Sequence, residues 1–391
     1  MVIGLLIILL LVLTLPFLLK QVEHNLEPFL FIMGLAATIV SGVLGKELLI
    51  EILENHFMYM ITGAVLIAGL LFKIWKEKVQ GAVAAILKYV PLKVFIFFIT
   101  VTLGLFSSVI TAIIASLVLV EIISVLPLSR KDKVNLDIIA CFSIGLGAAL
   151  TPIGEPLSTI TVSKLNAGFW YLLGEVGWFI IPGVLATGLF GAYYVARGRP
   201  AKGDVVIKAP EQVESLPTVT RVAGRNEGRD QDPAWQGGAF ASPVAATAER
   251  AAVKEAEETV EKESYQGVVI RAVKIFVFVM ALELLGAGFK PVIDTYVIYF
   301  DSRLLYWVNM ISAVLDNATL AAAEISAKMT SQQIQAILMG LLISGGMLIP
   351  GNIPNIVSAS KLKIGSREWA CLGVPFGMAL MIIYFVVLFL V

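Results

Sequence analysis

The stretch Ile343–Leu362, ISGGMLIPGNIPNIVSASKL, is an apolar segment interrupted by glycine, proline and asparagine. The stretch Leu150–Leu165, LTPIGEPLSTITVSKL, aligns without a gap with Met347–Leu362. The alignment places Gly154 on Gly351, and it matches three further sets: Glu155 with Asn352, Ser158 with Asn355, and Ser163–Leu165 with Ser360–Leu362. The chain therefore carries the same interrupted apolar segment twice.

These interruptions restrict the fold, because non-helical backbone is tolerated in lipid only where it is buried in protein or lines a wet cavity. Paired interruptions in two halves of a membrane protein indicate the binding site of a transporter. We therefore expect an all-α polytopic membrane protein. It should be built from inverted-topology repeats, each with a re-entrant hairpin and a broken transmembrane helix.

The composition agrees with a membrane protein. Of the 391 residues, 58% are hydrophobic and 15% are charged, whereas a soluble domain has about 25% charged residues. Several apolar runs approach or exceed the roughly 20 residues that cross a bilayer. The clearest are Val2–Leu19, Phe29–Leu44, Phe57–Phe72, Phe169–Val195, Val268–Ala287 and Leu372–Val391. We interpret the first as a retained helix, since it lacks the basic start and cleavage site of a signal peptide.

The same inventory argues against several functions. The net charge is zero and no basic patch is interleaved with aromatic residues, so we expect no nucleic-acid partner. Two cysteines, Cys141 and Cys371, and two histidines do not make a zinc or copper site. A disulfide between the cysteines is left open. No phosphate-binding glycine loop precedes a Lys-Ser/Thr pair, which disfavours an ATP-driven pump. We expect no cofactor.

Three regions follow from the pattern along the chain. Residues 1–197 form a first membrane half, with scaffold helices, a hairpin at 92–126, a broken helix at 134–166 and a span at 168–196. Residues 198–266, rich in Pro, Gly, Ala and charge, form a linker or, alternatively, a partner-binding tail. Residues 267–391 form the second half, with a hairpin at 296–326 and a broken helix at 331–363. One long tilted helix is the competing structure for the first hairpin.

The basic residues predict the orientation in the membrane. They crowd on one side, which we assign to the cytoplasm together with the insert 198–266; both chain ends then lie outside. The repeats thereby acquire opposite topology. We expect an integral protein of a prokaryotic plasma membrane, in contact with the lipid bilayer.

A second match precedes the first in each half: Ser107–Ala112 aligns with Ser312–Asn317. Asp316, within an otherwise apolar stretch, is the leading candidate for function, because an ionised carboxylate there needs a partner. Burial favours its protonated form and a bound cation favours its charged form, so the group can exchange H⁺ for Na⁺. The alternative is a helix-capping role.

The remaining candidates cluster at the hairpin tips and interruptions. Asn317, Asn352 and Asn355 offer amide oxygens, and we expect a Na⁺ site at Asp316, Asn317 and Asn352. Glu155 is a second proton carrier or cation ligand, or else is satisfied by half-helix N–H groups or a lysine. Five hydroxyl side chains are weaker candidates, because such groups often bond their own backbone: Ser107, Ser108, Thr111, Thr151 and Ser158. The backbone at Gly154 and Gly351 is a further weaker candidate. We interpret Lys164 and Lys361 as snorkelling anchors and Glu121 and Glu324 as structural.

Hairpin tips of Ser/Thr or Asp-Asn, each followed by a Gly/Pro-broken helix, resemble the ion transporter superfamily. It includes arsenite permeases, NhaD-type sodium/proton antiporters and sodium-coupled dicarboxylate and citrate carriers; the chain resembles most a branch of predicted cation transporters. The resemblance covers both halves but not Gly198–Gln266. It implies a homodimer, with scaffold helices flanking a mobile transport domain. It also implies that four segments surround the ion or substrate: Ser107–Thr111, Thr151–Ser158, Asp316-Asn317 and Gly351–Asn355.

Three functions follow from these residues. The first is Na⁺/H⁺ exchange by alternating access, with Asp316 and Glu155 alternating between proton and cation. The second is Na⁺- or H⁺-coupled transport of a carboxylate or oxyanion, which half-helix N-termini favour. The chain lacks the Ser-Asn-Thr triplet that carboxylate carriers have at both tips, which favours the first. The third, an intramembrane enzyme using Asp316 and Glu155 as a carboxylate pair, lacks a metal-ligand set and a nucleophile–base pair, so we expect no enzyme.

Overall fold

The structure is a computed structural model that describes residues 1–19, 21–22, 25–56, 58–60, 62–63, 66–67, 70, 86, 89–195, 265–313 and 317–390. Every regular element within these ranges is helical. In chain order the α-helices are α1 Val2–Leu18, α2 Leu26–Ser41, α3 Lys46–Leu53, α4 Leu92–Ile110, α5 Ala112–Val125, α6 Arg130–Ala148, α7 Pro156–Lys164, α8 Tyr171–Val195, α9 Tyr265–Thr295, α10 Ser302–Val308, α11 Asn317–Glu324, α12 Ser331–Gly345, α13 Ile353–Leu362 and α14 Ser366–Phe389. Short 3₁₀ turns lie at Val297–Tyr299, Asn309–Ala313 and Ile349–Gly351.

Four helices in the described ranges are long and apolar enough to cross a membrane: α4, α8, the Ala272–Thr295 part of α9, and α14. Their outer faces carry large apolar side chains, with Trp178 84%, Leu189 62% and Ile383 56% exposed. A surface of this kind is stable in lipid and unfavourable in water. The architecture is that of a helical membrane protein. Most of the expected span Phe57–Phe72 and nearly all of the insert 198–266 lie outside the described residues.

The two broken helices begin with side-chain caps. The Ser129 hydroxyl accepts a hydrogen bond from the backbone N–H of Asp132 (3.2 Å), and Thr330 and Gln333 form a reciprocal capping box. Such caps satisfy N–H groups that have no partner within the helix. The first broken helix therefore starts at Arg130, before the predicted residue 134. Its basic residues Arg130, Lys131 and Lys133 lie in the first turn of the helix.

Both predicted interruptions are present, but they lie earlier than expected. Helix α6 ends at Ala148 and α7 begins at Pro156; α12 ends at Gly345 and α13 begins at Ile353. A proline lies in the first turn of each second segment, where its fixed φ and missing N–H suit a helix start. Consequently Ser158 and Asn355, which we expected within the interruptions, lie inside helices.

The region 92–126, where we expected a hairpin, contains two helices separated by Thr111 alone. Thr111 has φ 75° and ψ 150°, a conformation that ends α4 and that non-glycine residues rarely adopt. The competing expectation of one long helix is therefore wrong. In the region 296–326, a seven-residue α10 runs into the 3₁₀ turn Asn309–Ala313, residues 314–316 are not described, and α11 follows.

The packing of the helices comes in matched pairs. In the first half α4 packs on α6, and in the second α10 and the 3₁₀ turn after it pack on α12. Between the halves α5 packs on α13, and α11 packs on α7. Helix α2 lies along α9, and α8 packs on α4 and α6. The helix that follows each tip thus packs on the segment beyond the interruption in the opposite half.

Candidate functional site

The first interruption is held by the end of α4 and the start of α5. The backbone N–H of Ala112 donates to the carbonyl of Gly154 (2.9 Å), and the Thr151 hydroxyl donates to the carbonyl of Ser108 (2.5 Å). The Ser107 hydroxyl donates to carbonyls on α4 and α6, at 2.6 and 3.0 Å. The resemblance implied that Ser107–Thr111 and Thr151–Ser158 surround the ion or substrate; in the structure these hydrogen bonds hold the two segments together.

The second interruption is held in a comparable way. The amide nitrogen of Asn355 donates to the carbonyls of Gly345 and Leu348, both at 2.9 Å. The Ser344 hydroxyl donates to the carbonyl of Asn309 in the 3₁₀ turn (2.8 Å). The bond to Gly345 satisfies a carbonyl at the C-terminal end of α12, where carbonyls lack intrahelical partners. The amide nitrogen of Asn355 therefore stabilises the interruption, and its amide oxygen remains a candidate ligand.

Each interruption contains one close backbone approach, and the two approaches correspond in the alignment. A Cβ atom added at Gly351 would lie 2.6 Å from the carbonyl oxygen of Gly345, and one at Gly154 would overlap the carbonyl oxygen of Ala148. The alignment that matches Gly154 with Gly351 also matches Ala148 with Gly345. Glycine is required at both points because only a missing side chain permits this distance.

The second interruption also contacts the first half. A Cβ atom at Gly145 would lie 2.6 Å from the amide nitrogen of Asn352, and one at Gly346 would lie 2.5 Å from the ring of Phe142. Gly145 belongs to the last turn of α6, directly before the first interruption. The second interruption therefore packs against the last two turns of α6, which lead into the first interruption.

Four buried polar atoms at the tips and after the interruptions lack a hydrogen-bond partner in the described part of the chain. They are Thr111 Oγ1, Asn317 Nδ2, Ser158 Oγ and Asn355 Oδ1. Thr111 and Asn317 lie at the starts of α5 and α11, and Ser158 and Asn355 are aligned with each other. A buried polar atom without a partner is costly, so each is available to a ligand. Thr100, Asp137 and Asn309 carry further atoms of this kind.

Glu155 occupies the N-cap position of α7 in an extended conformation (φ −157°), and its side chain does not cap the helix. The residue is only 5% exposed. Its carboxylate lies at the positive end of the α7 dipole, which stabilises negative charge. A buried acid therefore adjoins the first interruption, at the position where the second half has Asn352.

Asp316, the leading candidate from the sequence, lies outside the described residues. Of the other two residues expected at the Na⁺ site, Asn317 and Asn352 are each 4% exposed. The carbonyl oxygen of Ala313 would lie 3.0 Å from a Cβ atom at Gly351. Within the described ranges no three His, Cys, Asp or Glu side chains converge as a metal site.

Lys164 differs from the expectation of a snorkelling anchor. Its ammonium group donates to the backbone carbonyl of Ala322 near the end of α11 and lies 3.2 Å from a Cβ position at Gly286 on α9. The ammonium group of Lys164 is thus held by helix α11, about 160 residues away in sequence. Glu324 accepts a hydrogen bond from the Asn309 amide (2.9 Å), in keeping with its expected structural role. Cys141 and Cys371 are free thiols, so the disulfide left open by the sequence does not form.

One family model matches residues 2–225 and 239–391, nearly the whole chain. The chain belongs to the DUF1646 family. The family is described as a protein of unknown function, and its match includes both interruptions and both stretches that precede them. No curated protein matches the chain. This member of the DUF1646 family must therefore be interpreted from its own geometry.

Sequence reasoning did not select Asp137, a carboxylate in α6 that is 0% exposed. In the sequence it is the last residue of the polar segment RKDKVNLD, which is typical of a solvated helix end. The signal that could have identified it is the spacing of Asp137, Cys141 and Gly145, which places all three on one face of a helix.

Proposed function

We propose that this DUF1646 protein is a secondary active transporter that exchanges a monovalent cation, most simply Na⁺, for protons by alternating access. The observation that carries the proposal is the set of four unpartnered polar atoms at Thr111, Asn317, Ser158 and Asn355. Ser158 and Asn355 are aligned positions that follow the two interruptions, and Thr111 and Asn317 lie at the starts of α5 and α11. Three of the four are oxygen atoms, of Thr111, Ser158 and Asn355, and oxygen atoms with the free carbonyls of interrupted helices are ligands that suit Na⁺.

The proposal includes an internal duplication with inverted topology and re-entrant hairpins at 92–126 and 296–326. Two kinds of observation support it. The aligned glycines Gly154 and Gly351 make equivalent close approaches, and the helix contacts within and between the halves come in equivalent pairs. In such a design each half contributes one tip and one interruption to a site near the middle of the membrane.

The position of Glu155 favours a cation over an anion. The N-terminal ends of α7 and α13 could attract an anion through their dipoles. A buried acidic side chain at the N-cap of α7 would repel an anion there, and it can bind either a proton or a cation. Coupled anion transport is therefore the second candidate.

Reconstituted liposomes with a pH-sensitive dye in the lumen test the proposal. A pulse of external Na⁺ should change the lumenal pH, and Asp316→Asn and Glu155→Gln should each reduce the initial rate at least tenfold. Glu47→Gln, an equivalent change at an exposed residue of α3, serves as the control and should behave as wild type. If the wild-type protein gave no pH change with Na⁺, Li⁺ or K⁺ but accumulated a carboxylate, the exchanger assignment would be wrong.

We also propose, from the resemblance alone, that two copies of the chain pair. Light scattering of the protein in detergent should then give a protein mass of about twice 42.2 kDa. A protein mass equal to one chain, unchanged on reconstitution into nanodiscs, would contradict pairing.

A further inference from the structure

A polar seam joins the two halves between α6 and α13. At one end the Arg130 guanidinium donates to the carbonyls of Leu362 (2.5 Å) and Lys363 (2.9 Å). At the other end Gly145 contacts Asn352 at the second interruption. The residue numbers rise along α6 as they fall along α13, so the two helices run antiparallel. The seam therefore leads from the exposed Arg130 to the second interruption.

Asp137 lies in this seam and is fully buried. Neither of its carboxylate oxygens makes a hydrogen bond of ordinary length and angle to a described residue, although the Ser358 hydroxyl lies close by. The described groups that act on it are Ser358 from α13, and Arg130 and Cys141 from its own helix. An ionised carboxylate in such surroundings is strongly disfavoured unless it gains a proton or a cation.

A chain of polar groups connects Asp137 to the interruption. One turn further along α6, the Cys141 sulfur lies 3.2 Å from the Ser358 hydroxyl oxygen and 3.7 Å from the carbonyl oxygen of Pro354. The Ser358 hydroxyl in turn donates to the carbonyl of Asn355 (3.4 Å), whose amide oxygen is one of the four unpartnered atoms. Thiol and hydroxyl groups can both accept and donate protons.

The fold does not need an acid at this position. The alignment that places Leu150 on Met347 places Asp137 on Ile334, and Ile334 is a core residue of α12, 4% exposed. The equivalent helix of the second half is thus built with an apolar side chain. The carboxylate in the first half adds burial cost without an evident packing gain, which points to a role other than stability.

We propose that Asp137 is a proton-binding site of this protein, separate from Glu155 and Asp316, which exchanges protons with the second interruption along the seam of Cys141 and Ser358. The role in coupling rests on the exchange function proposed above, whereas proton binding itself does not. Binding of H⁺ to the carboxylate removes its buried charge, and release of H⁺ toward the interruption restores it.

Labelling with dicyclohexylcarbodiimide, an apolar reagent that modifies protonated carboxyl groups, tests proton binding directly. Liposomes with the wild-type protein should give an adduct on the peptide containing Asp137, and labelling should fall at least fivefold between pH 6 and pH 9. Asp137→Asn should abolish this adduct and leave labelling of other carboxyl groups unchanged. Absence of the adduct across this pH range, with other buried carboxyls labelled, would overturn the proposal.

Transport by two variants tests the coupling role. Asp137→Asn, similar in shape, should lower Na⁺-triggered proton movement at least tenfold and flatten its dependence on pH, while the protein elutes as a single folded species. Cys141→Ala should slow exchange severalfold with the pH dependence retained. A wild-type pH profile in Asp137→Asn would assign the residue a structural role only. If wild-type protein showed the Asp137 adduct without any cation exchange, the proposed function would fail and the proton site would stand.

Discussion

Gly147 shows at the residue scale how tightly the first half is packed. A Cβ atom at this position would overlap the backbone carbonyl of Gly104 on α4, and a backbone atom cannot rotate away as a side chain can. We expect Gly147→Ala to destabilise the protein by about 3 kcal/mol or more, seen as a large loss of monodisperse protein and a lower unfolding temperature. Gly174→Ala on α8, where nothing lies within 4 Å, should be neutral or stabilising by up to about 1 kcal/mol. Equal behaviour of the two variants would contradict the contact.

Substitutions at Thr111 distinguish the effect of backbone strain on stability from the effect of its hydroxyl on ion binding. Its φ of 75° with ψ of 150° costs a β-branched residue about 1–3 kcal/mol, whereas glycine adopts it freely at an entropic cost of about 0.5–1 kcal/mol. Thr111→Gly should therefore raise stability by about 1 kcal/mol, and Thr111→Ala should leave it nearly unchanged. Both remove the unpartnered hydroxyl, so both should weaken Na⁺ exchange to a similar extent. A destabilised Thr111→Gly would show that the strain is absent.

The sequence was most informative where one residue determines its own surroundings. Glu155 beside Pro156 was identified as an acid at an interruption, and it is a buried N-cap. Asp137 and Lys164 could not be placed in this way. Asp137 is surrounded in part by α13, about 220 residues away in sequence, and Lys164 by α11, about 160 residues away. The local sequence around Asp137 and Lys164 does not say which distant helix packs against them.

At the scale of the element, Pro156 and Pro354 explain why the interruptions could be predicted and why their limits could not. Proline and glycine mark a break strongly, but a proline in the first turn belongs to the helix it starts. The predicted interruptions therefore extended too far into α7 and α13. The 3₁₀ turn at Asn309–Ala313 has no comparable marker, and the hairpin pattern in that region did not reveal it.

Asn355 tests how the second interruption is held. Asn355→Ala removes the hydrogen bonds to the carbonyls of Gly345, the last residue of α12, and of Leu348 in the interruption. The loss of these bonds, and of the partner of the buried Gly345 carbonyl in particular, should cost about 1–3 kcal/mol. Thermal unfolding in detergent measures the change. Asn135→Ala, at a partly exposed position of α6, should not lower stability. A variant as stable as Asn135→Ala would mean that the interruption does not depend on this side chain.

At the scale of the whole molecule, the contact between the halves can be tested by cross-linking. The Cys141 sulfur lies 3.2 Å from the Ser358 oxygen, so Ser358→Cys should form a disulfide with Cys141 under mild oxidation. The background should carry Cys371→Ala to remove the exposed thiol, with a protease site inserted within residues 201–264. After cleavage the two halves should migrate together without reductant and separately with it. Separation without reductant would contradict the contact.

The crossed packing of α5 on α13 and of α11 on α7 has a mechanical consequence. Each half packs on the segment beyond the interruption of the other half, so neither can move alone without breaking the contacts of α5 with α13 and of α11 with α7. If the protein is the transporter proposed above, the two interrupted segments must move together. That linkage would prevent simultaneous access from the two faces of the membrane, and so would protect the ion gradient from leaking through the protein.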